Sequence, residues 1–192
     1  MDSTHTLQRL GRNLPSKNKI TIMPVGGSEP MHFSSQLEAA VRLYDYYPEI
    51  RLETLPLNED LLDSSRKQYK ADKIIERISA TLRIGKILAV TSQDLFVPRL
   101  RFVFGLADKN RGVGLVSTAR LTSPTQSYSY TSKVIEERVF KEAAHELGHL
   151  IGLAHCLDSE NCIMTFANSI SDVDNKLPML CASCLSKLPS GS

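Results

Sequence analysis

Three of the chain's five histidines fall within the eleven residues HELGHLIGLAH, from His145 to His155. On a helix, His145 and His149 stand one turn apart on the same face, so two imidazole nitrogens can reach one ion. Glu146 lies one residue round the helix. It is poorly placed to bind that ion and well placed to take a proton from a water held there. Gly152 tolerates the positive φ that ends many helices, and a turn at this point brings His155 round as a third ligand. Three histidines and one water make an open tetrahedral zinc site, in which the pKa of the water falls to about 7. With Glu146 as general base, such a site suits attack on a polarised carbonyl and proton delivery to a leaving amine. A single histidine is ordinarily a surface or satisfied core residue. The whole pattern H-E-x-x-H-x-x-G-x-x-H arises by chance on the order of once in 10⁵ chains of this length.

The four cysteines, Cys156, Cys162, Cys181 and Cys184, all fall in the last 37 residues. C-x5-C followed by C-x2-C suits a closed four-thiolate zinc site. Four free thiols are the alternative. Disulfides fit less well, because the N-terminus has no apolar signal-peptide core. The end of the chain is poor in large apolar residues, and a metal can hold a segment too small for a core of its own. Cys156 follows His155 directly, so an ion at the cysteines would fix the loop that aims the third histidine.

The motif helix is expected from about Lys133 to Ile151, with Phe140, Ala144, Leu147 and Ile151 as an apolar stripe facing a sheet. KITIMPVGG predicts a strand over Ile20 to Val25. A helix carrying Leu37, Val41 and Tyr44 follows and ends by Pro48, and IRLETLP is a short alternating strand. Ala71, Ile74, Ile75, Ile78 and Leu82 mark a second helix. KILAVTSQDLF has the apolar run of a strand buried on both faces, and RFVFGLA is another strand. GVGLVSTARL carries Gly112 and Gly114, which suit an edge strand better than an interior one. Residues Leu121 to Tyr130 form a Ser/Thr-rich loop.

A net charge of +2 and the interleaved acids of the Arg66 to Lys86 stretch argue against a nucleic-acid partner, a four-cysteine ribbon included. No apolar run is long enough to span a membrane. Arg9 and Arg12 give only a short, Pro-interrupted transit-like pattern, so a cytoplasmic location is expected.

At His145, Glu146, His149, Gly152 and His155 the chain resembles the metzincin metallopeptidases, and Met164 fits their methionine turn beneath the metal. Cys156, Cys162 and the Cys181-x-x-Cys184 pair narrow the resemblance to the archaemetzincins, or archaelysins. RKQY at Arg66 to Tyr69 and the VSTARL segment also look like that family. Five residues separate the first two cysteines where the family pattern has four, which bears on the shape of the turn rather than on the ligands. The resemblance runs from about Lys19 to Leu188. It implies an α/β (α+β) zincin-like fold: a mixed twisted sheet with an edge strand over the cleft, a long active-site helix and a small α-rich C-terminal lobe. Residues 1–18 would be a polar arm, 19–188 one catalytic domain (an α/β part to 152, then a C-terminal part) and 189–192 a tail.

The implied activity is peptide-bond hydrolysis with two zinc ions per chain, one catalytic and one structural. A peptide or protein substrate would pair with an edge strand, expected at Gly114, Leu115, Val116, Ser117 and Thr118. The chain is expected to act as a monomer. Thr165 and Phe166 follow Met164, so no tyrosine is evident there to stabilise an oxyanion. The alternative reading is a zinc-containing peptide-binding protein of the same fold with little or no turnover.

Overall fold

A computed structural model describes residues 19–82, 85–122 and 132–189. The expected N-terminal arm, most of the Leu121 to Tyr130 loop and the end of the tail lie outside these residues. In chain order the elements are β1 (Lys19–Pro24), α1 (Ser34–Arg42), β2 (Tyr47–Ile50), β3 (Leu62–Asp63), β4 (Gln68–Lys70), α2 (Ala71–Thr81) and β5 (Lys86–Thr91). Then come β6 (Leu95–Phe96), β7 (Gly105–Asp108), β8 (Val113–Ser117), α3 (Ala119–Thr122), α4 (Ser132–Ile151), α5 (Ile170–Asn175) and α6 (Ala182–Ser186). Five strands form a mixed sheet in the order β2-β1-β5-β8-β7, parallel except for β7. A small second sheet has the order β3-β4-β6.

Alternation along the central strands explains why helices cover both faces. Leu88 and Val90 of β5, with Ile20 and Ile22 of β1, enter a core shared with α1 and α4. Ile87 and Ala89 point the other way, onto Ile74, Ile75 and Ile78 of α2. The first core continues without a break into the C-terminal lobe, where it takes in Cys156, Met164, Val173 and Cys184.

Four expectations change. The strand expected in IRLETLP lies earlier, at β2, and only Leu55 of the later stretch bridges to Val25. Pro48 sits inside β2, which is tolerated because β2 is an outer strand. RFVFGLA becomes a strand only from Gly105, although Val103 bridges to Leu95. The stripe Phe140, Ala144, Leu147 and Ile151 is not the one covered face of α4, since every residue from Arg138 to Gly148 except Phe140 is buried.

The fourth change concerns substrate pairing. Gly114, Leu115, Val116, Ser117 and Thr118 are buried, and β8 pairs with β5 on one side and β7 on the other. Its backbone groups are already engaged, so this stretch is no edge. Gly114 faces α4, and a Cβ there would meet the carbonyl oxygen of Glu146 at 3.7 Å, an ordinary contact distance. The last strand of the sheet on that side is β7.

Beyond Gly152 the lobe is mostly loop, and polar contacts tie it to α4. Ser169 caps α5 in a capping box with Asp172. Arg138, 1% exposed, grips Asp174 through two bonds of 2.6 and 2.7 Å. The Lys176 ammonium meets the Glu142 carboxylate at 2.9 Å, both side chains being buried. A buried pair of this kind is costly to break from one side, because the remaining charge is left without a partner.

Candidate active site

The end of α4 sets the histidine geometry. Gly152 takes φ of +110°, and the N–H of Leu153 bonds back to the carbonyl of Gly148 at 2.8 Å while that of Gly152 reaches His149 at 3.0 Å. This is the paired closure of a Schellman turn, and it satisfies two otherwise unpaired carbonyls while reversing the chain towards His155. The three rings then meet: their centroids are 4.6, 5.3 and 4.7 Å apart.

Two carbonyls orient the rings. His145 Nδ1 lies 2.9 Å from the Ile163 carbonyl oxygen, and His149 Nδ1 lies 2.8 Å from that of Leu153. A carbonyl can only accept, so both Nδ1 atoms carry the proton and both Nε2 atoms present lone pairs. Those two lone pairs face each other at 3.1 Å. Such a contact calls for a cation between them. A proton is disfavoured there, since burial and then the Lys176 charge push the His145 pKa well down. Burial also lowers the pKa of His149 and His155. A metal fits: nitrogens about 2.0 Å from zinc at tetrahedral angles stand roughly 3.3 Å apart.

Glu146 lies against the sheet, beneath β7 and β8. Gly105 makes room for it, because a Cβ there would stand 2.5 Å from Glu146 Cγ and 2.6 Å from its Oε1. Burial, with the nearby Glu142 carboxylate, raises the Glu146 pKa well above the usual carboxylate range. A carboxylate with raised proton affinity, one residue from His145 and three from His149, is suited to accept a proton and return it. The histidines and Glu146 border a cleft of about 730 Å³ whose other lining includes the β7 residues Gly105, Leu106 and Ala107.

Beneath the cluster, Met164 packs against Gly148, where any side chain would collide with its sulfur. The Tyr44 hydroxyl donates to the Ala144 carbonyl at 2.7 Å and stands 3.7 Å from Met164 Sδ. Burial raises the Tyr44 pKa, so the phenol keeps the proton that it donates. Phe166 packs edge-on against His155 with centroids 5.2 Å apart, and it offers no polar group to the cleft.

The sulfur atoms of Cys156, Cys162, Cys181 and Cys184 lie within 4.8 Å of one another, and all four cysteines are free of disulfides. Cys156 and Cys181 are 3.6 Å apart, against roughly 3.8 Å for two thiolates on a tetrahedral zinc. The backbone N–H of Cys184 brings the Cys181 pKa down to about 7, whereas burial pushes those of Cys162 and Cys184 up. A metal would therefore have to drive deprotonation at Cys162 and Cys184. Cys156 N–H bonds the Met164 carbonyl at 2.9 Å, which joins this cluster to the turn under the histidines.

Residues 37–190 match the sequence profile of peptidase family M54. The chain belongs to this family. It is thus a zinc metallopeptidase of archaemetzincin type, with a histidine triad and a four-cysteine cluster. The archaemetzincin of Halobacterium salinarum is 37% identical over 170 residues, covering 86% of this chain and 96% of that protein. The archaemetzincin of Pyrococcus furiosus is 36% identical over 180 residues, covering 90% and 93%. The crystal structure of the Methanopyrus kandleri archaemetzincin superposes with a TM-score of 0.78 at 33% identity, covering 90% of this chain and 93% of that one. That of the Archaeoglobus fulgidus archaemetzincin, complexed with malonate, gives a TM-score of 0.75 at 32% identity, covering 88% and 99%.

The M54 fold gathers residues that the motif does not mark. Gly105, Tyr44, Glu142 and Lys176 come from four separate stretches and all touch the site or its supports. Gly148 carried a legible signal, since glycine inside a helix is unfavourable and usually has a packing reason. The others did not.

Proposed function

We propose that His145, His149 and His155 hold a catalytic zinc, that Glu146 is the general base, and that Cys156, Cys162, Cys181 and Cys184 hold a second, structural zinc. Residues 19–188 act as one catalytic unit, with 153–188 as a lobe that positions His155 and Met164. When bound, the catalytic ion supplies Lewis-acid polarisation of the scissile carbonyl and a water of lowered pKa.

The chain's own residues do the rest. The Ile163 and Leu153 carbonyls fix the rings of His145 and His149, so their lone pairs are aimed before any ligand arrives. Glu146 takes a proton from the attacking water and passes it to the leaving nitrogen. An extended peptide lies along β7, adding a strand to the open side of the sheet and presenting its carbonyl to the histidines. Phe166 shapes one side of the cleft without donating to the oxyanion. The substrate is a peptide or protein.

The observation that carries this reading is the meeting of two carbonyl-fixed imidazoles with His155 beside Glu146, along a cleft bordered by β7. Wild type and Glu146→Ala, matched for zinc content, should be compared on a diverse peptide library. Turnover should fall by about 10²- to 10⁴-fold in the variant. Equal cleavage by both proteins would refute the assignment of Glu146.

A further inference from the structure

The cleft is lined by three cations that the chemistry above does not use: Arg99, Arg101 and Lys109. Among the described residues none of the three is paired with a carboxylate, whereas the nearby Arg111 and Arg120 are bound to Asp108 and Asp94. The acidic residues on the lining are Glu142, already held by Lys176, and Glu146, the base. The cleft therefore presents unbalanced positive charge to whatever enters it.

Two of these cations stand on a wall that is fastened from behind. Arg66 donates from Nη2 to the carbonyls of Leu100 and Arg101 at 2.8 and 2.6 Å, with its guanidinium 4.2 Å above the Phe96 ring. Arg120 grips Asp94 at 2.8 and 2.7 Å and lies 4.0 Å over the Phe102 ring. Gln68 links the two, accepting from Arg66 at 2.8 Å and donating to Asp94 at 3.0 Å. Between these anchors Arg99 holds φ at +75°, a conformation seldom adopted by a long side chain and kept only where the surroundings impose it. The wall precedes β7 in the chain, and Lys109 directly follows it, so the cations flank both ends of the strand along which a substrate would lie.

We infer that this cleft selects peptides carrying acidic side chains around the scissile bond, with Arg99 and Arg101 reading one side and Lys109 the other. The inference rests on the proposed pairing of substrate with β7. Exposed charge pairs contribute a few-fold each and are screened by salt, so the preference is graded rather than absolute.

The test scans Glu, Gln and Lys through each position of quenched fluorescent peptides and reads kcat/KM. At low salt, Glu should exceed Lys by roughly three- to tenfold on each side of the cleaved bond, and the ratio should shrink as salt rises. Arg101→Glu should invert the preference on one side, and Lys109→Glu on the other, so the result does not depend on one variant folding. The same peptides are also measured for binding to zinc-loaded Glu146→Ala protein by fluorescence anisotropy. Equal cleavage of Glu, Gln and Lys peptides, or a preference unmoved by either charge reversal, would overturn the inference while leaving the peptidase standing. Tighter binding of acidic peptides with no cleavage by wild type would sustain the inference and overturn the peptidase mechanism instead.

Discussion

The histidine and cysteine clusters meet at adjacent residues, His155 and Cys156, yet they differ in access. Each gathers its donor atoms within 4.8 Å of one another. The histidine cluster has three donors, one of them on the exposed His155, and opens on the cleft. The cysteine cluster has four donors, three of them on buried residues, and forms part of the hydrophobic core. A tetrahedral ion with three protein ligands keeps a position for water or substrate, while one with four keeps none. On the proposed assignment, the same stretch of chain supports chemistry on one side and holds structure on the other.

The largest expected effect lies on the closed side. Structural zinc is worth on the order of 10 kcal/mol to a small folding unit, so Cys181→Ser should bring zinc content towards one ion per chain and lower Tm sharply. If metal count and Tm both stay put, the cysteines hold no structural ion. On the open side, His149→Ala should remove the other ion and all turnover, with a much smaller change in Tm; undiminished zinc would sink that assignment.

Lys176→Met tests the brace between the two regions. It leaves the Glu142 carboxylate buried without its partner, at a cost of about 3–5 kcal/mol, and the double variant with Glu142→Gln should recover much of the loss in chemical denaturation. No recovery would mean that Lys176 acts through some other contact. Gly152→Ala forces a side chain into φ of +110° and towards the Lys109 ammonium, costing about 1–3 kcal/mol. Its zinc loss in a chelator titration should fall on the histidine ion alone. Tyr44→Phe removes one buried hydrogen bond to the active-site helix, and a drop of about 1 kcal/mol in urea unfolding is expected, with both ions retained.

What could be read from the sequence was local. His145, His149, Gly152 and His155 form one helix and its cap, so spacing alone conveys their geometry. Cys156 and Cys162 likewise share one loop, and the apolar periods of α2 and β5 marked both faces of the sheet. Pairings between distant segments were not legible. Glu142 and Lys176 are 34 residues apart, and Tyr44 and Ala144 are 100 apart. Nothing in either local pattern specifies the other. The edge strand went astray for the same reason: Gly112 and Gly114 pointed to an edge, but β7, the next strand in the sheet, covers the outer side of β8. Strand order depends on the whole sheet.

The contrast between the two clusters is tested most directly by counting zinc, turnover and Tm together while a chelator is titrated into the wild-type protein. Two ions per chain are expected at the start. The first should leave with all peptidase activity and little change in Tm, and the second only as the fold is lost. Release of both ions in one step, or activity that survives loss of the first, would contradict the division into an open catalytic site and a closed structural one.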